Sequence, residues 1–290
     1  MQKTSLKSIK TQRKKIIIAH SPDADDAFMF YALTENIIEK NELEIENVLK
    51  DIQTLNNESS SLTYDVQAIS FFAYPDVEDK YQLLSCGGSL GYGYGPMLVS
   101  KEKLGFNDLK NVLIAVPGEK TTAFLLLKLL LKDFKYVVVP FDQILDSVKN
   151  RKYPIGLVIH EGQLSYLNHN LHKVLDLGEW WLGKTNLPVP LGGNVVKRSF
   201  AGDQKGKINK LIKESIVYAL ENKEKIIPGI SKYARGIETD HHLVNKFVSM
   251  YVNEFTVDYG ILGKLAIKKL YQLALKDELI SKMPKLDFVE

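Results

Sequence analysis

Short β-branched runs alternate with stretches of helical periodicity over the first half of this chain. That alternation restricts it to an α/β architecture, with helices linking strands that are expected to be largely parallel. The first run, residues 16–20, reads Ile-Ile-Ile-Ala-His and leads into Ser21-Pro22-Asp23. Residues 25–40 then carry apolar side chains at helical spacing, with Ser21, Asp23 and Asp25 as candidate N-caps beside the helix dipole. Further apolar runs lie at 66–70, 97–100, 112–116, 136–139 and 156–159, with helix patterns at 121–132 and 142–150 among them. From 205 to 280 the texture becomes amphipathic helix, broken at Pro228-Gly229 and around 255–260.

A chain of 290 residues is long for one core and suits two lobes of roughly 100–150 residues. No Gly/Ser-rich tether is present, so strands are expected to join the lobes, with 97–100 and 193–197 as the crossings. Residues 16–97 and 198–290 would then form a discontinuous first lobe, and 98–197 an inserted second one. The 38 basic and 35 acidic residues leave a net charge of +3, which implies no nucleic-acid surface. Lys3, Lys7, Lys10, Arg13, Lys14 and Lys15 make residues 1–15 a basic arm, expected to be disordered. The apolar run after it is shorter than the 7–15 residues of an export signal. The most apolar stretch, 124–131, is interrupted by Lys128 and far below the ~20 residues of a membrane span. A single cysteine, Cys86, forms no internal disulfide. A cytoplasmic protein without membrane association is expected.

Residues 156–162, Gly-Leu-Val-Ile-His-Glu-Gly, end an apolar strand in a histidine before a turn. Ligands of open α/β sheets gather at the carboxyl ends of strands, and an imidazole there can exchange a proton near neutrality. His160 is therefore a candidate general base; a half-buried histidine bonded to backbone fits the same pattern. His20, also at a strand end, either touches a ligand or orients its loop. Thr121-Thr122-Ala123 opens a helix whose free N–H groups favour a carboxylate or phosphate, with an ordinary threonine cap as the plainer alternative. Ser70 closes the run 66–70 and offers a hydroxyl to the same cleft or to a turn. His169 and His172 lack a third ligand and His241-His242 diverge, so no metal site is expected. The glycine-rich segment 87–96 matches neither a P-loop nor a dinucleotide fingerprint and points to close backbone approach, to a ligand or to the other lobe. Trp180-Trp181, with residues 188–193, either walls a pocket or packs a lobe junction. No nucleophile elbow is present, and Cys86 has no evident partner base.

Several of these segments converge. Residues 19–33 (Ala-His-Ser-Pro-Asp-Ala-Asp-Asp-Ala-Phe-Met-Phe-Tyr-Ala-Leu), Lys50-Asp-Ile-Gln-Thr-Leu-Asn56, Ala115-Val-Pro-Gly-Glu-Lys-Thr-Thr-Ala123, 156–162, and Trp180-Trp181 followed by Leu187-Pro-Val-Pro-Leu-Gly192 occur in order. Together they resemble the blocks of the 1,4-dihydroxy-6-naphthoate synthases of the futalosine route to menaquinone. The resemblance implies a two-lobed, type II periplasmic-binding-protein-like fold with a cleft between the lobes. It implies a lyase that converts cyclic de-hypoxanthine futalosine, an anionic small molecule, to 1,4-dihydroxy-6-naphthoate without metal or redox cofactor. It places the proton acceptor at His160 and substrate-holding positions at Ala68, Ser70, Thr121, Thr122 and Ala123. Chorismate dehydratases of the same pathway share the fold, and a non-catalytic small-anion-binding protein is the other alternative. The chain departs from the family twice. Its loop reads Ser21-Pro-Asp-Ala-Asp-Asp26 in place of Ser-Pro-Cys-Pro-Asn-Asp, adding charge that opposes an anion unless Asp23 and Asp25 cap the helix and point away. Ala68 stands where a longer polar residue is common, leaving room for a divergent substrate.

Overall fold

A computed structural model describes residues 14–40 and 42–289. The basic arm expected over 1–15 lies outside these except for Lys14 and Lys15, which already belong to the first strand. Strands β1 (Lys14–His20), β2 (Leu43–Leu49), β3 (Val66–Ser70), β4 (Tyr81–Leu84) and β5 (Ser89–Gly91) build one sheet. Strands β6 (Met97–Ser100), β7 (Leu113–Val116), β8 (Lys135–Val138), β9 (Ile155–Val158) and β10 (His172–Asp176) build the second, before β11 (Val189–Lys197) and β12 (Phe288–Val289) rejoin the first. The strand orders are β12-β4-β11-β3-β1-β2, with β5 also on β11, and β10-β6-β9-β7-β8.

Helices α1 (Ala24–Met29), α2 (Tyr31–Thr34) and α3 (Ile52–Glu58) belong to the first lobe, and α4 (Thr122–Leu131), α5 (Ile144–Lys149), α6 (Gly162–Ser165) and α7 (Leu177–Thr185) to the second. The C-terminal part is α8 (Gly202–Glu221), α9 (Lys223–Ile230), α10 (His241–Tyr251), α11 (Glu254–Val257) and α12 (Gly260–Lys276). One apolar cluster packs α8, α9 and α10 on β1 and α1 through Ile16, Ile18, Phe28, Ile212 and Phe247. Another runs from Ile69 and Phe71 of the first lobe through Leu125 and Leu126 of α4 to Tyr271 of α12, so apolar burial is continuous across the two lobes.

The sheets are mixed rather than largely parallel. β1 pairs parallel with β2 and β3, as β7 does with β8 and β9, but β11 runs antiparallel to β3, β4 and β5, and β6 antiparallel to β9 and β10. The strands next to the inter-lobe passages are the ones that reverse direction. β11 lies in the first sheet over its whole length, so the return crossing precedes Val189 and not the expected boundary at 197.

The helix expected over 25–40 is shorter. It breaks at Phe30 (φ −93°, ψ 3°), whose ring stacks on His20 at 4.3 Å, and ends at Thr34. Pro228 does not break the C-terminal helices: it sits inside α9, and the interruptions fall at Asn222 and after Ile230. β2 escaped the sequence reading because alternate Glu44 and Glu46 dilute its apolar signal. It is an edge strand with one solvated face, paired residue for residue to β1.

Candidate functional site

A cleft opens between the two sheets, lined from both lobes. Its floor from the first lobe is the end of β3 with β11 beside it; the register sets Gly192 opposite Ser70 and Asn194 opposite Ala68. The second lobe contributes the start of α4 and the residues after β9. The sequence-derived positions His160, Ala68, Ser70, Thr121, Thr122 and Ala123 all line this one space.

His160 follows β9 in the left-handed region at φ +59°, a conformation non-glycine residues rarely adopt. Its Nδ1 lies 2.8 Å from an Asp23 carboxylate oxygen. A carboxylate only accepts, so Nδ1–H donates. The ring packs edge-on against Phe141 at 4.8 Å. Nε2 is buried and has no hydrogen-bond partner among the described residues. Burial opposes the imidazolium, yet the charge and hydrogen bond of Asp23 outweigh it and push the pKa up to about 9.

Asp23 is 1% exposed. It occupies the N-cap position of α1 but makes no capping bond; its carboxylate turns to His160, to Arg235 Nη1 at 3.2 Å and to the Ser21 hydroxyl. Asp23 thus neither caps the helix nor points away from the cleft. Burial raises its pKa, but His160 and Arg235 prevail and hold it below the usual carboxylate value. Its neighbours behave oppositely. Desolvation, then the charge of Asp23, pushes Asp25 to about 6 and Glu161 to about 8. Asp26, raised well above its ordinary value by burial and by Asp25, accepts the Ser21 amide at 2.7 Å. Glu161 Oε1 accepts the Ala24 amide at 3.0 Å, a bond between the lobes.

The threonines serve the helix start. Thr121 Oγ1 donates to Gly118 O at 2.8 Å and accepts from Phe124 N at 3.2 Å, an N-cap. Thr122 Oγ1 donates to Leu191 O and accepts from Phe72 N at 3.3 Å, tying α4 to the first lobe. Both hydroxyls are therefore engaged. The amides of Thr122 and Ala123 have no partner among the described residues, and they sit at a positive helix end. Ser70 Oγ accepts from Asn56 Nδ2 at 2.9 Å, which leaves its proton available to the cleft.

His20 is orienting rather than ligand-facing. Its Nδ1–H donates to Ser21 O at 2.9 Å, and burial pushes its pKa down to about 4, so it is neutral. The tryptophans and Tyr92 and Tyr94 do not wall the cleft. Trp181 is fully buried with Nε1 donating to Pro188 O at 2.9 Å, and Tyr94 is anchored through its hydroxyl to Met250 O. Phe247 and Tyr251 of α10 supply the aromatic wall instead, with Tyr251 OH bonded to Gln163 at 2.6 Å. The glycine-rich segment does approach closely: Gly87 (φ +76°) lines the cleft, where a Cβ would meet Asn194 Nδ2 at 2.3 Å. Asp23, Arg235, Asn56 and the α10 aromatics were not legible as site residues, since only the fold brings them to His160 and Ser70. Among the described residues no group of three or more His, Cys, Asp or Glu could hold a metal ion.

A family model described as menaquinone biosynthesis matches residues 16–276. The chain belongs to the menaquinone-biosynthesis family. A member from Thermus thermophilus, named 1,4-dihydroxy-6-naphthoate synthase, is 34% identical over 94% of this chain and 98% of its own. A second of the same name, from Streptomyces coelicolor, is 34% identical over 91% and 94%. Among solved structures, a protein from Archaeoglobus fulgidus is 44% identical with a TM-score of 0.87, over 92% of this chain and 98% of its own. The ligand-binding component of an ABC-type import system from Staphylococcus aureus shares the fold alone, at 12% identity and a TM-score of 0.73 over 96% and 97%. This menaquinone-family chain thus has the two-lobed periplasmic-binding-protein-like fold, and it is an enzyme of menaquinone biosynthesis. No helix of the described residues is long and apolar enough to cross a membrane.

Proposed function

We propose that this chain is a 1,4-dihydroxy-6-naphthoate synthase, a carbon–carbon lyase that acts in the cytoplasm on cyclic de-hypoxanthine futalosine with His160 as general base. The observation that carries the reading is His160 itself: Nδ1 is taken by a carboxylate while Nε2 stays buried and unpartnered at the cleft. A substrate hydroxyl is the kind of donor such a nitrogen accepts. His160 removes a hydroxyl proton from the sugar portion. The alkoxide collapses to a carbonyl as the carbon–carbon bond breaks; the bonding pair passes into the ring portion, which takes up a proton as it becomes the aromatic naphthalene diol, and the sugar-derived fragment leaves with the new carbonyl. The amides of Thr122 and Ala123 and the Ser70 hydroxyl suit the substrate carboxylate, with Ala123 and Ala68 leaving room beside it. Phe247 and Tyr251 suit the flat ring.

The test is direct. Purified protein incubated with cyclic de-hypoxanthine futalosine should release the naphthoate, read by mass. His160→Ala should lose at least ~10²-fold in turnover. Product from chorismate instead would mark a dehydratase, and substrate recovered intact after long incubation would mark a binding protein; either result overturns the assignment.

A further inference from the structure

We infer that Asp23 is a positioning residue which, held by Arg235 and Ser21, keeps the proton of His160 on Nδ1 and so presents Nε2 to the cleft as a lone pair. The inference rests on His160 being the proton acceptor, and it adds that the acceptor is built jointly by both lobes. His160 follows β9 of the second sheet, whereas Asp23 belongs to the loop after β1 of the first.

A neutral imidazole has one N–H and two nitrogens to place it on. In water the two tautomers differ little, and without a fixed partner the base is divided between them. The Asp23 carboxylate, 2.8 Å from Nδ1, removes that ambiguity because it can only accept. Being 1% exposed, it has no bulk water to turn to. Its own orientation is fixed by Arg235 Nη1 at 3.2 Å and by the Ser21 hydroxyl. The Arg235 guanidinium, from the first lobe, also lies over the Phe141 ring of the second, 4.6 Å from its centroid, and Phe141 packs against the His160 ring within that second lobe. Arg235, Phe141, His160 and Asp23 thus close a ring of contacts that crosses the cleft edge twice.

The charged groups around His160 are Asp23 from the β1–α1 loop, Asp25 and Asp26 on α1, its neighbour Glu161, and Arg235 beyond Asp23. The negative groups favour the imidazolium, which accords with the upward shift of His160 to about 9. At pH 7 about one free protein in a hundred then holds the neutral base. Its activity rises roughly tenfold per pH unit toward 9, and each neutral imidazole is a stronger base for its elevated pKa.

Nitrogen-15 NMR of the histidine-labelled full chain tests this without substrate, the six histidines being resolved by His160→Gln as an assignment control. In the wild type, the His160 signal should titrate near pH 9, and its neutral form should carry the proton on Nδ1. In Asp23→Asn the titration should move to pH 6.5 or below, and the neutral proton should shift toward Nε2, because an amide N–H can now donate to Nδ1. Turnover should fall by about 10²-fold or more, as when an orienting carboxylate is neutralised, while the Michaelis constant changes little. A wild-type neutral form protonated on Nε2 overturns the inference even if the variant fails to fold, as does an Asp23→Asn variant with unchanged titration. A wild type with the expected titration but no naphthoate production leaves the pairing standing and sinks only the assigned reaction.

Discussion

Glu161→Gln should leave stability nearly unchanged at pH 5 and raise it at pH 9. Glu161 is 1% exposed, accepts the Ala24 amide and has its pKa pushed up to about 8, first by burial and then by Asp23. In the unfolded chain the same group titrates near 4.5. Between those values the folded protein holds a proton that the unfolded chain has released, so stability falls as pH rises. The contribution is complete below 4.5 and is lost as pH climbs through 8. At 1.36 kcal/mol per pH unit the ceiling is about 5 kcal/mol, and sharing of charge with Asp23 and His160 lowers it to a range of about 2–5 kcal/mol. Glutamine keeps an acceptor for the Ala24 amide and cannot ionise. Scanning calorimetry at pH 5, 7 and 9 should therefore show variant and wild type together at pH 5, and the variant melting several degrees higher at pH 9. His160, raised to about 9, also loses stability as pH climbs from 6.5, but in both proteins, so the comparison largely cancels it. A difference that is the same at pH 5 and 9, or a variant that melts lower at pH 9, would refute the claim that Glu161 is buried as a neutral acid.

Three further outcomes are expected. Ser70→Ala should raise the Michaelis constant by about tenfold, the worth of one hydrogen bond to a charged group, with little change in turnover; an unaltered constant in steady-state kinetics would remove Ser70 from the binding site. Cys86 is fully buried, with burial pushing its thiol up to about 12, so a thiol reagent at pH 8 should label it only on unfolding, and rapid labelling of the native protein would contradict that burial. Trp181→Ala, which empties a fully buried site and frees the Pro188 carbonyl, should cost about 3–5 kcal/mol in urea denaturation; a loss below about 1 kcal/mol would show that the α7–β11 junction closes over the gap.

The elements legible in the sequence were those whose signal is local. The strands at 66–70 and 97–100 announce themselves because both of their faces are buried and every residue except Gln67 is apolar or small. Thr121 was legible as a cap because capping is decided within four residues. His160 was legible because a strand end is a short-range feature, although its role depends on a partner that is not. No periodicity links Asp23 to His160, or Arg235 to either. The loop acids therefore read as helix caps until the fold delivered a cation to them. The tryptophan pair stayed open between wall and packing for the opposite reason: large aromatics next to prolines and glycines look alike whether they line a hole or fill one, and the packing alternative is the one found, with the Trp181 N–H on a backbone carbonyl.

The acidic loop, which by sequence opposed an anionic guest, is largely neutralised by the structure. Asp23 is ionised, but His160 and Arg235 lie within 2.8 and 3.2 Å of it. Glu161, pushed up to about 8 by burial and by Asp23, keeps its proton near neutrality, and burial with the charge of Asp25 raises Asp26 well above its ordinary value. Half-buried Asp25, at about 6, has no ion pair among the described residues. Across the cleft, the open amides of Thr122 and Ala123 present the positive end of a ten-residue helix. The two sides are therefore unlike: one offers backbone N–H donors, while the other holds an imidazole backed by a carboxylate. Reversing that asymmetry takes a single change. With Asp23 neutral, the imidazole loses its partner, and the loop ceases to be different in kind from the helix start that it faces.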